Sequence, residues 1–204
     1  MLKILDIFHV GTRECLIDTV DETLDEDECS TSLTKSLFSF TMRKRFCCDI
    51  CKTSDTHLLQ SQHLNLYPAM GDNIQSLIKH SLTSYLTKRC AVCLADTQHK
   101  EISTIVQHPK YIILVINRYP TELGTNKNNS SICMNKTINL HSSPYHLIGF
   151  ISHHGPSTSS GHYTCFISYT NVAFSCNDNL VSAVEYRTAR ISKDSYIGIY
   201  MHQC

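Results

Sequence analysis

Two cysteine pairs, Cys48-x-x-Cys51 and Cys90-x-x-Cys93, constrain this chain more than any other feature. A C-x-x-C turn aims two thiolates at one ion about 2.3 Å from each sulfur, and two such turns complete a tetrahedral zinc site. The 38 residues between the pairs exceed the usual spacing of roughly 15 to 20. That span contains a strand and a helix pattern able to bring the chain back. A four-sulfur site has no open coordination position, so the Zn2+ it would hold is structural. Cys47, next to Cys48, points elsewhere on a strand and falls outside the ligand set. The competing reading is that these thiols are buried as small hydrophobes.

The wider composition favours metal or catalytic thiols over disulfides. The chain has 204 residues, 11 of them Cys, with 18 Lys plus Arg against 18 Asp plus Glu. That length gives one domain or two small ones and buries about 70% of the unfolded surface, so a core forms without covalent staples. The charge balance excludes the broad basic field that nucleic-acid binding needs. Arg43-Lys44-Arg45 reads as a solvated strand end, and no nucleic-acid partner is expected. The apolar run Tyr111 to Ile116 is far short of the ~20 residues of a membrane span. Met1 to Val10, interrupted by Lys3, Asp6 and His9, lacks the apolar centre of a signal peptide. The expectation is an intracellular protein of the cytoplasm or nucleus, where clustered thiols are ligands or catalysts. Sequons at Asn128, Asn129 and Asn135 then mark only a polar surface loop.

Along the chain, Met1 to Val10 suggests a helix and Cys15 to Val20 a short element, while Asp18 to Glu28 holds seven carboxylates. Such a run is usually a solvated loop, its alternative being attraction for a basic partner surface. Leu37 to Phe46 and Thr56 to Tyr67 read as strands on either side of the first cysteine pair. Gly71-Asp72-Asn73 offers a turn and a cap, and Ile74, Leu77, Ile78, Leu82 and Tyr85 recur at helical spacing. Strand patterns follow at 101–107, 110–117, 136–140, 145–154, 162–169, 172–176 and 195–201, punctuated by Pro109, Pro120, Pro144 and the Gly155 to Gly161 stretch. Thr121 to Ile132 looks like a polar insertion. The fold class is α+β, a mostly antiparallel sheet with an inserted zinc-binding finger and one clear helix.

Two further segments carry chemistry. Gly149 to Tyr169 contains Gly161-His162-Tyr163 after a Gly- and Ser-rich stretch, and Phe174-Ser-Cys-Asn-Asp-Asn-Leu-Val181 follows. One strand would present His162, and the next would present Asn177 and Asp178. A cysteine protease needs an imidazole to take the thiol proton and an amide or carboxylate to hold its other nitrogen.

These segments, together with Leu64-x-Leu66-x-Pro68, the paired cysteines, Pro109 to Tyr119 and Tyr196-Ile-Gly-Ile-Tyr200, resemble the C-terminal part of the ubiquitin-specific protease (USP) catalytic domain. The resemblance covers about Phe38 to Tyr200. It implies an incomplete papain-like domain: an antiparallel palm sheet plus zinc-ribbon fingers, with the thumb mostly missing. Residues 1–35 would be the remnant of a helical thumb with the acidic loop, 36–107 the fingers with the zinc ribbon and one helix, and 108–204 the palm with its histidine box. It also implies thiol-dependent hydrolysis of ubiquitin isopeptide bonds, with ubiquitin and ubiquitinated proteins as partners. His162 would be the general base, Asn177 its orienting partner and Asp178 an auxiliary polar group. His154, Gly155 and Gly161 would belong to the loop over the substrate tail. Cys48, Cys51, Cys90 and Cys93 would hold the structural zinc.

The family's nucleophilic cysteine box has no counterpart here, as if the chain began after it. Cys15 sits beside Glu14, whose charge raises a thiol pKa. Cys165 and Cys176 fall on the faces opposite His162 and Asn177 by strand alternation. Cys29, Cys133 and Cys204 carry no second signal. The expectation is a chain inactive by itself; the alternative is a non-catalytic ubiquitin-binding pseudoprotease. Without the thumb, a large apolar face would be left bare, so aggregation or dependence on a partner is also expected.

Overall fold

The computed structural model describes residues 33–68, 73–119, 127–169 and 172–203. The readings made for Met1 to Val10, Cys15 to Val20 and Asp18 to Glu28 lie outside these residues. In chain order the elements are α1 (Leu33–Phe38), β1 (Phe40–Cys48), β2 (Ser54–Ser61), β3 (His63–Leu66), α2 (Ile74–Ser81), β4 (Thr83–Arg89), β5 (Asp96–Gln107) and β6 (Tyr111–Ile116). Then come β7 (Ile132–Cys133), β8 (Thr137–Leu140), β9 (Ser143–Ser157), β10 (Ser160–Tyr169), β11 (Val172–Asn177), β12 (Leu180–Val184), α3 (Tyr186–Ala189), β13 (Ile191–Ser192) and β14 (Ser195–His202). Among the described residues, no helix is long and apolar enough to cross a membrane.

A first, four-stranded sheet has the order β2-β1-β5-β4 and is antiparallel throughout. Its two hairpins turn at the same end: Cys47 faces Ser54 across one and Arg89 faces Asp96 across the other. Each turn contains one cysteine pair. Because β1 lies beside β5, the turns are neighbours, which is how a long sequence separation closes into one cluster. The residue after each pair, Lys52 (φ 62°) and Leu94 (φ 55°), adopts the left-handed conformation that closes the turn.

The large sheet runs β12-β11-β10-β9-β14-β6-β3, with β8 added to β9. All its pairs are antiparallel except β3 with β6. The β6 sequence YIILVI is a nearly continuous apolar run, as a strand covered on both faces requires. Ile112, Leu114, Ile116, Leu147, Phe150, Phe166 and Tyr200 form the centre of the core, and Ile74, Leu77 and Ile78 of α2 join it. Phe40, Met42 and Ile105 extend that core into the base of the first sheet.

Several boundaries differ from expectation. Helix α2 begins as predicted, with Asn73 Oδ1 accepting from Ser76 N at 3.1 Å, but it stops before Leu82. Tyr85, counted in its apolar stripe, lies on β4 and is exposed; pairing of 83–89 with β5 overrides the helical periodicity. The single strand predicted for Thr56 to Tyr67 is broken at Gln62, β2 joining the first sheet and β3 the large one. Arg43-Lys44-Arg45 sits in the middle of β1, not at its end. The Gly155 to Gly161 stretch is mostly strand: β9 and β10 pair out to Ser157 and Ser160, leaving a two-residue turn.

Candidate functional site

At the tip of the first sheet the four cysteine sulfurs lie within 4.8 Å of one another. Cys48 Sγ is 3.9 Å from Cys93 Sγ, and Cys51 Sγ is 3.6 Å from Cys90 Sγ. Tetrahedral zinc with bonds of about 2.3 Å places its sulfurs about 3.8 Å apart, so the cage fits this ion. Its electrostatics point the same way. Hydrogen bonds led by that from Thr97 draw the Cys48 thiol down to about 5, whereas the Cys51, Cys90 and Cys48 sulfurs, together with burial, push Cys93 up to about 12. Thiols this close cannot all ionise without a cation, and a divalent ion removes the conflict. Cys47 bonds to the Cys48 and Lys52 carbonyls instead, outside the cage.

The histidine box forms where β9, β10 and β11 run side by side. His162 on β10 and Asn177 at the end of β11 share one face, and His162 Nε2 lies 2.5 Å from Asn177 Oδ1. An amide oxygen only accepts, so Nε2 carries the hydrogen. In the neutral ring, Nδ1 then keeps its lone pair and is the atom able to take a proton. Both residues are exposed. Asp178 opens the β11–β12 turn with φ 49°, and its carboxylate forms no hydrogen bond among the described residues. It is brought near the pair by sequence alone, without contact to it.

His153 and His154, adjacent on β9, have opposite fates. His154 is exposed and bridges elements, with Nδ1 3.1 Å from Asp194 Oδ2 and Nε2 2.8 Å from Thr164 Oγ1. Its ring stacks toward His162 at 6.4 Å. His153 is buried, stacks on Tyr163 at 4.5 Å, and lies 2.7 Å from the Tyr119 hydroxyl, which donates to the Gly155 carbonyl. Burial, then the Lys127 charge, lowers the His153 pKa and keeps the ring neutral. A methyl group on Gly161 would come within 2.3 Å of His153 Nε2, so the strand there admits only glycine.

Lys127 and Asp194 tie this hairpin down. Lys127 Nζ donates to the His153 carbonyl at 2.6 Å and to Asp194 Oδ1 at 2.5 Å. Burial alone would raise the Asp194 carboxyl, but the Lys127 hydrogen bond and charge, with help from His154, hold it below its usual range. Behind them Arg118 is fully buried. Its Nε donates to the Ser195 carbonyl, its two terminal nitrogens to the carbonyls of Asn128, Ser130 and Ser192 and to Ser195 Oγ. Burial lowers its pKa to about 10.

Of the residues singled out from sequence, the structure brings together His162 with Asn177, and the four cysteines; it places His154, Gly155 and Gly161 in one hairpin beside the first pair. His153, Lys127 and Asp194 were not singled out. Two adjacent histidines on a strand announce that one points inward, but only the alternation phase decides which. Asp194 and Lys127 carry no local signal, being paired across 67 residues. Cys165 faces Cys176 across β10 and β11, both on the face away from His162. Cys15, Cys29 and Cys204 lie outside the described residues.

The family model UCH, ubiquitin carboxyl-terminal hydrolase, matches residues 12–200, and the chain belongs to this family. Among curated proteins it is similar to the probable ubiquitin carboxyl-terminal hydrolase 16 of Schizosaccharomyces pombe, 27% identical over 79% of this chain and 38% of that protein. It is also similar to ubiquitin carboxyl-terminal hydrolase 23 of Arabidopsis thaliana, 22% identical over 98% of this chain and 25% of that one. The chain thus spans well under half the length of these relatives. Among solved structures, a chain of the SAGA Ubp8/Sgf11/Sus1/Sgf73 DUB module bound to ubiquitin aldehyde superposes with a TM-score of 0.80. The match has 16% identity and covers 99% of this chain and 49% of that chain. A chain of the Ubp8-Sgf11-Sgf73-Sus1 SAGA DUB module gives 0.78 at 16% identity, with 99% and 48% covered. The fold is that of the papain-like USP catalytic domain, mostly β with few helices and a zinc-ribbon cysteine cluster.

Proposed function

We propose that this chain carries the histidine half of a thiol-dependent ubiquitin isopeptidase site and the surfaces that hold ubiquitin against it. The first sheet with its zinc cage corresponds to the fingers, within 36–107, the large sheet, to which β3 also contributes, to the palm, 108–204, and residues 1–35 are assigned to the thumb. The single observation carrying the reading is the His162–Asn177 bond, which protonates Nε2 and leaves Nδ1 free to serve as base. In the reaction, Nδ1 of His162 takes the proton of a cysteine thiol as the sulfur attacks the isopeptide carbonyl. The imidazolium then donates that proton to the leaving lysine amine. Asn177 fixes the ring orientation and tautomer without adding a full negative charge. Asp178 is a polar neighbour available to substrate or solvent. His154, Gly155 and Gly161 form the hairpin over the substrate tail. The bound zinc is structural and fastens the finger turns.

The thiol comes from sequence other than the residues described. Cys165 and Cys176 face away from His162, so neither is the thiol it would serve, and the reading is that the chain by itself holds ubiquitin without cleaving its conjugates. A non-catalytic ubiquitin-binding module is the second reading, favoured by that same orientation. Calorimetric titration with ubiquitin, alongside a diubiquitin cleavage assay, tests both. Heat of binding with no cleavage is the expected result. No heat at high micromolar ubiquitin removes the ubiquitin reading, and cleavage by the purified chain removes the claim about the thiol. A ubiquitin probe with a thiol-reactive group then separates the two readings in any longer form of the protein.

A further inference from the structure

Outside the cage, the described residues hold four further cysteines, Cys47, Cys133, Cys165 and Cys176, all half-buried with free thiols. Among these four, Cys165 and Cys176 alone stand directly opposite each other, as paired positions of β10 and β11. The register extends the row on both sides, with Ile151 of β9 beside Cys165 and Val181 of β12 beside Cys176. Facing residues of an antiparallel pair project from the same side of the sheet, with Cα atoms about 4.5 or 5.5 Å apart according to whether the position is hydrogen-bonded. Both spacings fall within the roughly 4.4 to 6.8 Å that a disulfide bridges. The two sulfurs already interact: burial first, then the Cys176 thiol, raises the Cys165 pKa.

The row is open to small molecules. Val181 is 61% exposed, and Tyr163 and Ile167, two residues to either side of Cys165 on the same face, are 52% and 44% exposed. Chain neighbours tie the pair to the histidine box. His162 lies three residues before Cys165, and Asn177 directly follows Cys176. The two cysteines therefore sit on the same two strands that bring His162 and Asn177 together, on the reverse of the sheet.

We propose that Cys165 and Cys176 form a reversible dithiol–disulfide site whose co-reactant is a small disulfide of the glutathione class, and that its closure clamps β10 to β11 behind His162 and Asn177. In the first step the Cys176 thiolate attacks one sulfur of the small disulfide. That S–S bond breaks, a mixed disulfide forms on Cys176 and one small thiolate leaves, taking up the proton that Cys176 gave up. Cys165 then attacks the Cys176 sulfur and expels the second small thiolate, which receives the Cys165 proton. The protein sulfurs lose two electrons, and the small disulfide gains them as two thiols. Cys165, whose burial favours the protonated thiol, suits the second step, in which its target is already in contact. The bridge encloses only ten residues, and exposed or strained bridges are the readily reduced ones, which makes the site reversible. The proposal is independent of the ubiquitin reading, since it requires no chemistry at His162.

The full-length chain, with zinc supplied to occupy the cage, is incubated in glutathione buffers of rising disulfide content, quenched, alkylated and mapped by peptide mass spectrometry. An intramolecular bridge between Cys165 and Cys176 should form before any bridge at Cys47 or Cys133, and excess glutathione should return it to two thiols. Free thiols or mixed disulfides persisting at both positions across the series would overturn the proposal, as would bridging of either to Cys133 as readily or bridges only between chains. Cys165→Ala removes the thiol of the second step, so glutathione retained on Cys176 should rise roughly tenfold over the parent chain. Equal retention in both would count as decisively against it. The clamp is read in the parent chain alone: amide exchange in β10 and β11 should slow roughly tenfold on oxidation. Exchange unaltered or faster in those strands would refute the clamp.

Discussion

Strand β2 of the first sheet is exposed at seven of its eight positions, whereas β6 of the large sheet buries four of six. Both belong to well-paired sheets, so backbone hydrogen bonding does not separate them. The difference lies in what each sheet packs against. The large sheet has a continuous apolar centre joined by α2, while the first sheet has apolar packing only at its base, through Phe40, Met42 and Ile105. Towards the tip its apolar side chains, Ile50, Val92 and Leu94 among them, are exposed instead of packed, and the cysteine cage occupies the place of a core. Hydrophobic burial thus organises one region, and a cysteine cage with the dimensions of a zinc site stands at the end of the other.

The strongest way to break this contrast is to remove the metal. Structural zinc contributes about 10 to 16 kcal/mol in small cysteine sites, so chelation or Cys90→Ser should abolish amide-exchange protection in β4 and the upper parts of β1 and β5. Protection in β6, β9 and β14 should persist. Simultaneous loss in both regions would show that the two sheets unfold as one unit and that the contrast is only one of composition.

Leu114→Ala probes the other side. Leu114 is fully buried, and the deletion should cost about 2 to 5 kcal/mol, measured by denaturant unfolding, with zinc stoichiometry unchanged. A smaller effect follows from Asn73→Ala, which removes the cap of α2 and should cost about 1 kcal/mol. This loss should fall mainly on the large sheet, whose β3 and β8 pack against α2, and also on β4 of the first sheet, which α2 touches.

Acid should distinguish the regions more subtly. Burial lowers the His153 pKa from its ordinary 6.5. The unfolded chain therefore binds a proton that the folded one refuses, so stability from this residue is full above pH 6.5 and declines as pH falls from there towards the folded value. The melting temperature should drop slightly over that interval in the parent chain and less in His153→Gln. An equal drop in both would assign the pH response to other groups.

How far the sequence disclosed this molecule depended on whether the deciding interaction was local. Cys48-x-x-Cys51 and Cys90-x-x-Cys93 are complete as local signals, since each hairpin turn delivers its own pair. Asn73 likewise caps the helix that starts at Ile74, accepting from Ser76 N three residues on. Tyr85 misled because its spacing suits a helix while its partner, Lys100, waits on β5. Arg43, Lys44 and Arg45 resembled a strand end because a cluster of cations looks solvated, yet alternation sends the middle one to Glu101 and its neighbours to the opposite face. The stretch from Gly155 to Gly161 looked flexible for its glycines, which are instead required by close approach, Gly155 to the Ser160 carbonyl and Gly161 to His153. Asp194 was invisible, because nothing near it in sequence needs it.

Arg118 illustrates a consequence for how the molecule assembles. All five of its N–H groups are claimed by oxygens from two stretches, 128–130 and 192–195, that lie more than sixty residues apart. A guanidinium cannot shed its water gradually at such a place, since any vacancy in that ring of acceptors leaves a charge stranded in a dry interior. Closure of the two stretches around it should therefore come as one cooperative step. Until it happens, Lys127 and Asp194 have no fixed positions from which to grip the hairpin of His154.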